Sequence, residues 1–385
     1  MKPEYLQIKV VISGGGTGGH VYPAIAIADA IREIHPEANI LFVGAEGKME
    51  MEKVPLAGYP ILGLPIAGLQ RKFTFKNLLL PFKLWESIGK ARKILSEFNP
   101  EVVVGVGGYA SGPVLRAAAG RKIPILIQEQ NGYAGLTNKW LSAKAKVVCV
   151  AYPGMEKFFP AKKIKLTGNP VRKDIGQNPE KLAEAYGFFD LDPRRKILML
   201  TGGSLGSATL NESLAAGLTR VLEAGHQVIW GTGKWYYDTY ARQFGHLTRE
   251  GLRIYPFINR MDLAYQCAQV VISRSGALSV SELCLAGKPA ILVPSPNVAE
   301  DHQTKNAMAL VNEGAALLVK DQNARNELVE AALALLADQA RQQQLQEAIL
   351  KLAKPEAAND IAREVLALSK TYQQLNSQNS KKSAN

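Results

Sequence analysis

Short apolar runs of β type recur along the first half of the chain: IKVVIS, NILFVG, EVVVGVGG, IPILIQ and KVVCV. Between them lie segments such as PAIAIADAIREI, whose apolar positions suit a helix. Alternation of this kind predicts a parallel sheet with helices on both faces. The series restarts at Lys196 with KILMLTGG, HQVIWGTG, LRIYPFI, VVISRSG and PAILVP. The expected fold class is α/β, with two doubly wound domains. Gly168 and Pro170 interrupt any regular element within TGNPVRKD, so the division is placed there, giving 1–169 and 170–355. Helical sequence with a Gln-rich polar face follows Ala324 and breaks at Pro355. A last helix is expected from about Ala357 to Leu368. The polar tail 371–385 lacks periodicity and is expected to be disordered.

Composition narrows the class. A chain of 385 residues accommodates about two domains, and 47% hydrophobic with 21% charged residues is ordinary for a soluble globular protein. No run approaches the ~18 to 20 apolar residues of a membrane-spanning helix. The N-terminal run Ile8–Ile12 contains Lys9 and is too short for a signal peptide. Three widely separated cysteines, Cys149, Cys267 and Cys284, argue against a disulfide framework or a zinc site, and the five histidines lack metal-ligand spacing. These features predict a cytosolic chain with no bound metal. The net charge of +12 is one-sided: residues 1–169 hold 22 Lys+Arg against 12 Asp+Glu, the remainder 24 against 22. Such asymmetry fits an anionic partner, nucleic acid or phospholipid, or solubility alone; composition leaves the three open.

The candidate chemistry lies in loops. In SGGGTGGH (Ser13–His20), Gly14, Gly16 and Gly19 satisfy the G-x-G-x-x-G fingerprint between a strand and a helix. Bare backbone there brings N–H groups and a helix N-terminus to a phosphate, and five glycines exceed the needs of a turn. A dinucleotide site also wants an acidic residue about 20 positions on; the only candidate, Glu46, comes late. His20 stands in the first helical turn, where the dipole depresses its pKa, so a neutral imidazole there can serve as general base. A purely structural histidine is the alternative.

TGGSLGS (Thr201–Ser207) and VGGYASG (Val106–Gly112) are further strand-end loops, where open α/β sheets bind ligands. Two such domains facing each other would put a phosphate-seeking loop on each wall of one cleft. SRSGALSVSE (Ser273–Glu282) can hold a diphosphate on helix N–H groups while Glu282 accepts from a ribose diol. Capping by Ser275 would explain the serine but not the glutamate. QEQNG (Gln128–Gly132) puts polar side chains at a strand end, as if toward a sugar, and EDHQTKNA (Glu300–Ala307) offers His302 and Gln303. DLD (Asp190–Asp192) precedes a strand and reads as a solvated loop, not a metal site.

Six motifs occur in one order: GGGTGGHVYPAIAIA, VGGYASGP, EQNGYAGLTNKWL, GNPVR, GGSLG and RSGALSVSE. On these, from about Val10 to Leu368, the chain resembles the bacterial N-acetylglucosaminyltransferases of peptidoglycan synthesis, the MurG type. The resemblance implies the GT-B architecture: two Rossmann-like domains flanking a cleft, with a helix at about 356–369 returning to the first. It implies inverting transfer of GlcNAc from UDP-GlcNAc to the 4-hydroxyl of undecaprenyl-diphospho-MurNAc-pentapeptide, with no cofactor. Carried over by motif, Ile258 contacts uracil, Glu282 the ribose, and Ala277, Leu278 and Ser279 the diphosphate. Ser204 and Arg172 face the donor phosphates, Asn131 and Gln303 the sugar, and Thr17, Gly18 and Gly19 close on the donor. Gly14, Gly15, Gly16 and Tyr109 receive the acceptor diphosphate. His20 is the expected base, with Glu129 its rival. Leu205, Ser279, Gln128 and His302 depart from residues common in the family, each altering one hydrogen bond.

The resemblance gives the charged half a partner other than nucleic acid. RKFTFKNLLLPFKLWESIGKARK (Arg71–Lys93) carries seven basic residues and one acidic, with Leu78, Phe82 and Trp85 at helical spacing. It suits a peripheral segment on the anionic cytoplasmic face of the plasma membrane; a core-facing amphipathic helix is the alternative. Rival functions are another GT-B enzyme (a glycolipid transferase or an epimerase), a nucleotide-dependent dehydrogenase, and a non-catalytic UDP-sugar sensor.

Overall fold

The computed structural model describes residues 7–66, 80–203, 205–298, 301–371 and 373–374. It divides into two compact units, one running to Arg172 and resuming at Glu356, the other spanning Lys173–Pro355.

The N-terminal unit is a seven-stranded parallel sheet: β1 (Lys9–Ser13), β2 (Asn39–Ala45), β3 (Ile61–Leu64), β4 (Val102–Gly105), β5 (Ile125–Glu129), β6 (Val147–Val150) and β7 (Ile164–Leu166). Their spatial order is β3-β2-β1-β4-β5-β6-β7. The central strands are buried on both faces, which is why they read as unbroken Val/Ile runs. Sequence patterning misses β3 and β7, whose short, partly exposed runs lack that signal.

The helix Gly18–Ile34 follows β1 and is buried around most of its circumference. One reason is the C-terminal helix Ala357–Ala367, which adds Ile361, Val365 and Leu366 to the same core. Each is fully buried, worth about 1.5–3 kcal/mol apiece. Beyond it Ser369 Oγ and the Thr371 amide both donate to Glu101, at 2.8 and 2.9 Å, so hydrogen bonding reaches the first residue of the expected tail. The rest of that tail lies outside the described residues, apart from Gln373 and Gln374.

The second unit repeats the plan with β8 (Ile197–Thr201), β9 (Gln227–Gly231), β10 (Leu252–Tyr255), β11 (Val270–Ser273), β12 (Ala290–Leu292) and β13 (Leu317–Leu318). The order is β10-β9-β8-β11-β12-β13, again all parallel. The two-residue edge strand β13 leaves no pattern to detect. The expected helical stretch after Ala324 is two helices, Ala324–Ala337 and Gln339–Lys351, because Asp338 turns the chain and caps the second on the Arg341 amide at 2.8 Å.

In each sheet the strand order reverses once, between β1 and β4 and between β8 and β11. Loops leaving the carboxyl ends there diverge and open a crevice, the usual ligand position in such sheets.

Candidate active site

At the β1/β4 reversal the two glycine loops pack backbone against backbone. A Cβ on Gly108 would overlap the Gly15 carbonyl, and one on Gly14 would approach Val106 Cβ to 3.1 Å. Gly16, at φ +90°, lies against the Tyr109 ring, and a Cβ on Gly15 would overlap the Glu50 carboxylate. Close packing alone therefore explains Gly14, Gly15 and Gly16, which narrows the excess over packing needs to Gly18 and Gly19. Gly19 is different: the one neighbour its Cβ would meet within 4 Å is Thr17 Oγ1. The Gly16 amide donates to Glu50 Oε2 at 3.0 Å, so a carboxylate already occupies it. Thr17 starts the Gly18–Ile34 helix in an extended conformation without side-chain capping, and no acidic residue lies in the first turn. This terminus can receive an anion.

His20 is partly buried in that first turn. Its Nδ1 lies 3.0 Å from the Val106 carbonyl oxygen and 3.1 Å from Gln130 Oε1. A carbonyl only accepts, so Nδ1 carries the proton and Nε2 holds the free lone pair. Burial lowers the imidazole pKa below its ordinary value, opposed by the Glu129 carboxylate, the bonds to Gln130 and Val106, and Glu50. The result is a neutral imidazole with one basic nitrogen.

The rival base is differently placed. Glu129 is 1% exposed and accepts from the Gly135 amide and Asn138 Nδ2, both at 2.9 Å, and from the Asn131 amide at 3.2 Å. Three donors hold its carboxylate in a structural role. The neighbouring side chains also turn inward. Gln130 Nε2 donates to the Val106 carbonyl at 2.7 Å and to Gln128 Oε1, Gln128 Nε2 to Asn169 Oδ1 at 3.2 Å, and Asn169 Nδ2 to the Gln130 carbonyl at 3.1 Å. The expectation that QEQNG presents its polar residues to a sugar is corrected for Gln128, Glu129 and Gln130; Asn131 is the partly exposed member. Glu46, the late acidic candidate, pairs with Lys90 at 2.7 Å on the surface.

Phe82 and Trp85, on the helix Leu80–Phe98, are 72% and 80% exposed, while Ser87, Ala91, Ile94 and Leu95 on the same helix face the core. The core-facing alternative for these two aromatics is thus excluded. Trp85 also lines a surface cavity with Ile88, Arg92 and Arg116. Leu78 lies outside the described residues.

At the β8/β11 reversal of the second unit, Gly206 (φ +80°) packs so tightly that a Cβ would overlap the Thr232 carbonyl. Ser207 caps the helix Ala208–Glu223 through the Leu210 amide at 3.3 Å and accepts from Arg274 Nη2 at 2.7 Å. Arg274 also donates to the Val293 and Pro294 carbonyls, at 3.0 and 3.2 Å, and pairs with Asp321 at 2.5 Å. It ties three strand-end segments together, a role its place inside RSG does not reveal. Ser204 lies outside the described residues.

The helix Ala277–Ala286 begins at Gly276, not at Ser275, with no side-chain cap and no acidic residue in its first turn. Ser275 is fully buried and donates to the Gln303 carbonyl at 2.8 Å, which corrects the capping alternative. The first turn, with Leu278 and Ser279, is a helix start that can receive an anion, as the one at Thr17 can. One turn on, Glu282 Oε2 accepts from the Tyr265 hydroxyl at 3.2 Å. Ile258 is 4% exposed and packs near Gly231, leaving mainly its backbone to meet a base. Gln303 Oε1 accepts from the Ser295 amide at 2.9 Å. Arg172 is partly buried at the end of the first unit. Among the described residues no cluster of three or more His, Cys, Asp or Glu is arranged to hold a metal.

Comparison with known proteins matches both units to one family. Residues 10–150 match the glycosyltransferase family 28 N-terminal domain and residues 197–364 its C-terminal domain. A protein of Phocaeicola vulgatus is 52% identical over 373 residues, covering 96% of this chain and 99% of the relative. It is named UDP-N-acetylglucosamine–N-acetylmuramyl-(pentapeptide) pyrophosphoryl-undecaprenol N-acetylglucosamine transferase. The crystal structure of Acinetobacter baumannii MurG is similar at 30% identity and TM-score 0.71, covering 93% of this chain and 99% of that one. The UDP-GlcNAc 2-epimerase of Neisseria meningitidis, crystallised with UDP-GlcNAc, shares the fold at 15% identity and TM-score 0.65, covering 94% and 100%.

Proposed function

The chain belongs to glycosyltransferase family 28, and from this we infer that it transfers N-acetylglucosamine from UDP-GlcNAc to the undecaprenyl-pyrophosphoryl-linked N-acetylmuramyl-pentapeptide of peptidoglycan synthesis. The observation that carries the reading is 52% identity over nearly the whole length of a transferase of that name. Sharing a fold with an epimerase selects no chemistry by itself.

The C-terminal unit takes the donor. The first-turn amides of Ala277, Leu278 and Ser279 hold the diphosphate, Glu282 takes the ribose diol, the Ile258 backbone the uracil and Gln303 the sugar; the family resemblance assigns Ser204, and Asn131 and Arg172 of the N-terminal unit, to the donor as well. The N-terminal unit takes the acceptor. Because the Gly16 amide is already bonded to Glu50, the acceptor diphosphate is assigned not to the expected Gly14–Gly16 loop but to Tyr109 and the start of the Gly18–Ile34 helix, the segment first expected to close on the donor. His20 Nε2 removes the proton from the acceptor 4-hydroxyl as its oxygen attacks the anomeric carbon. The bond from that carbon to the diphosphate oxygen breaks, and UDP leaves with the electron pair, inverting the centre. Charge growing on UDP is met by helix-end amides and a guanidinium. The support for His20 over Glu129 is tautomeric: one has a lone pair to offer, the other three donors already on its carboxylate.

The lipid acceptor requires contact with a membrane. No helix among the described residues is long and apolar enough to cross one. Exposed Phe82 and Trp85 within the basic segment Arg71–Lys93 support peripheral attachment to an anionic cytoplasmic leaflet. Incubation with UDP-GlcNAc and the lipid-linked acceptor must release UDP and give a β-linked disaccharide by mass spectrometry and anomeric NMR; UDP-GlcNAc epimerised without transfer would overturn the reading.

A further inference from the structure

One buried acid in the N-terminal unit belongs to no motif. Glu50 opens the short helix Glu50–Leu56 and is 1% exposed. Its Oε2 accepts from the Gly16 amide and its Oε1 from the Ala45 amide, both at 3.0 Å. These amides belong to the loop after β1 and to the end of β2, so one carboxylate joins two neighbouring strand ends. The surrounding backbone is bare where the side chain passes. A Cβ on Gly15 would overlap the carboxylate, and one on Gly44 would come 2.6 Å from Glu50 Cγ. Burying a carboxylate is costly unless donors meet it, and two backbone amides do.

We propose that Glu50 is a positioning residue for the transfer reaction: it braces the Gly14–Gly16 loop from beneath and thereby sets the start of the helix that carries His20. The proposal rests on the transferase reading for its kinetic consequence, but the brace itself does not. Glu50 also denies the Gly16 amide to any incoming anion and confines a substrate diphosphate to the helix start beyond Thr17. The charged groups facing His20 are Glu129, from the end of β5, and Glu50. Removing the Glu50 charge therefore lowers the imidazole pKa further.

Glu50→Gln keeps the volume but turns an amide NH2 against one of the two backbone N–H groups. Glu50→Asp keeps the charge but is one methylene too short to reach both. We expect each to raise the acceptor KM and lower kcat by tenfold or more, with the KM for UDP-GlcNAc unchanged within about twofold. NMR titration of His20 separates them: its pKa falls in Glu50→Gln and stays nearer the wild-type value in Glu50→Asp. Stabilisation of each variant by UDP in a thermal melt reports an intact C-terminal unit. Wild-type kinetics in either variant, equal loss toward both substrates, or an unchanged His20 pKa in Glu50→Gln would overturn the proposal. Wild-type protein that binds UDP but transfers no sugar would instead overturn the transferase reading, with the NMR arm still testing the brace.

Discussion

The Nδ1 atom of His20 lies 3.0 Å from the carbonyl oxygen of Val106, the residue that follows β4 by one position. That contact fixes the imidazole tautomer and makes Nε2 the basic atom. The two glycine loops at the strand reversal therefore do more than turn the chain: one carries the imidazole proposed as the base and the other orients it.

The pH dependence follows with a definite sign. Burial is the largest influence on His20 and lowers its pKa from the ordinary 6.5. With His20 as the proposed base the neutral form is the active one, so kcat/KM for the acceptor should be on its plateau at neutral pH. It should fall as pH drops through the folded-state pKa, below 6.5. A pH–rate profile checks this; an acidic limb centred above 6.5 would mean the Glu129 charge outweighs burial.

Glu282 and Tyr265 should affect the donor alone. A hydrogen bond to a charged group is worth about 1.5–3 kcal/mol, so Glu282→Gln should raise the KM for UDP-GlcNAc by roughly 10- to 150-fold. Tyr265→Phe removes the hydroxyl that holds Glu282 and should give a smaller rise in the same direction. Steady-state kinetics with the acceptor saturating measures both.

The glycines separate by what surrounds them. Gly206→Ala drives a Cβ into the Thr232 carbonyl at a positive φ and should cost about 1–3 kcal/mol or more. Gly187→Ala, inside the helix Leu182–Phe189 with no atom within 4 Å of its Cβ, should gain about 0.5–1 kcal/mol. Melting temperatures of the two variants should therefore move in opposite directions.

Phe82→Asp combined with Trp85→Asp should abolish flotation with anionic liposomes while leaving UDP binding intact. Both side chains are largely exposed, so the fold loses little by the change. Unchanged flotation would remove the aromatic contribution from the membrane proposal.

Much of the fold is legible in the sequence because strands buried on both faces must be apolar along their length, as in VVVG and VVIS. The edge strands are not, since half-exposed Ile164–Leu166 reads like any loop. The motif loops are legible as loops, but their glycines mislead: Gly14, Gly15 and Gly16 answer to Val106, Glu50 and Tyr109, contacts made only in three dimensions. Polar residues mislead for the same reason. Gln128 and Gln130 look ligand-facing at a strand end, yet a buried hydrogen-bond chain satisfies them. Glu50 is invisible in GKMEMEKV because nothing local marks an acid that tertiary packing buries.

The central claim is transfer of N-acetylglucosamine with His20 as the base. Its most direct measurement is radiolabel transfer from UDP-GlcNAc to the lipid-linked MurNAc-pentapeptide by the wild type and His20→Ala, with UDP binding measured in parallel. The wild type should transfer the sugar, and the variant should lose about 10²- to 10⁴-fold in kcat at unchanged UDP affinity. A His20→Ala enzyme that transfers at the wild-type rate, or a wild type that transfers nothing to this acceptor, would contradict the claim.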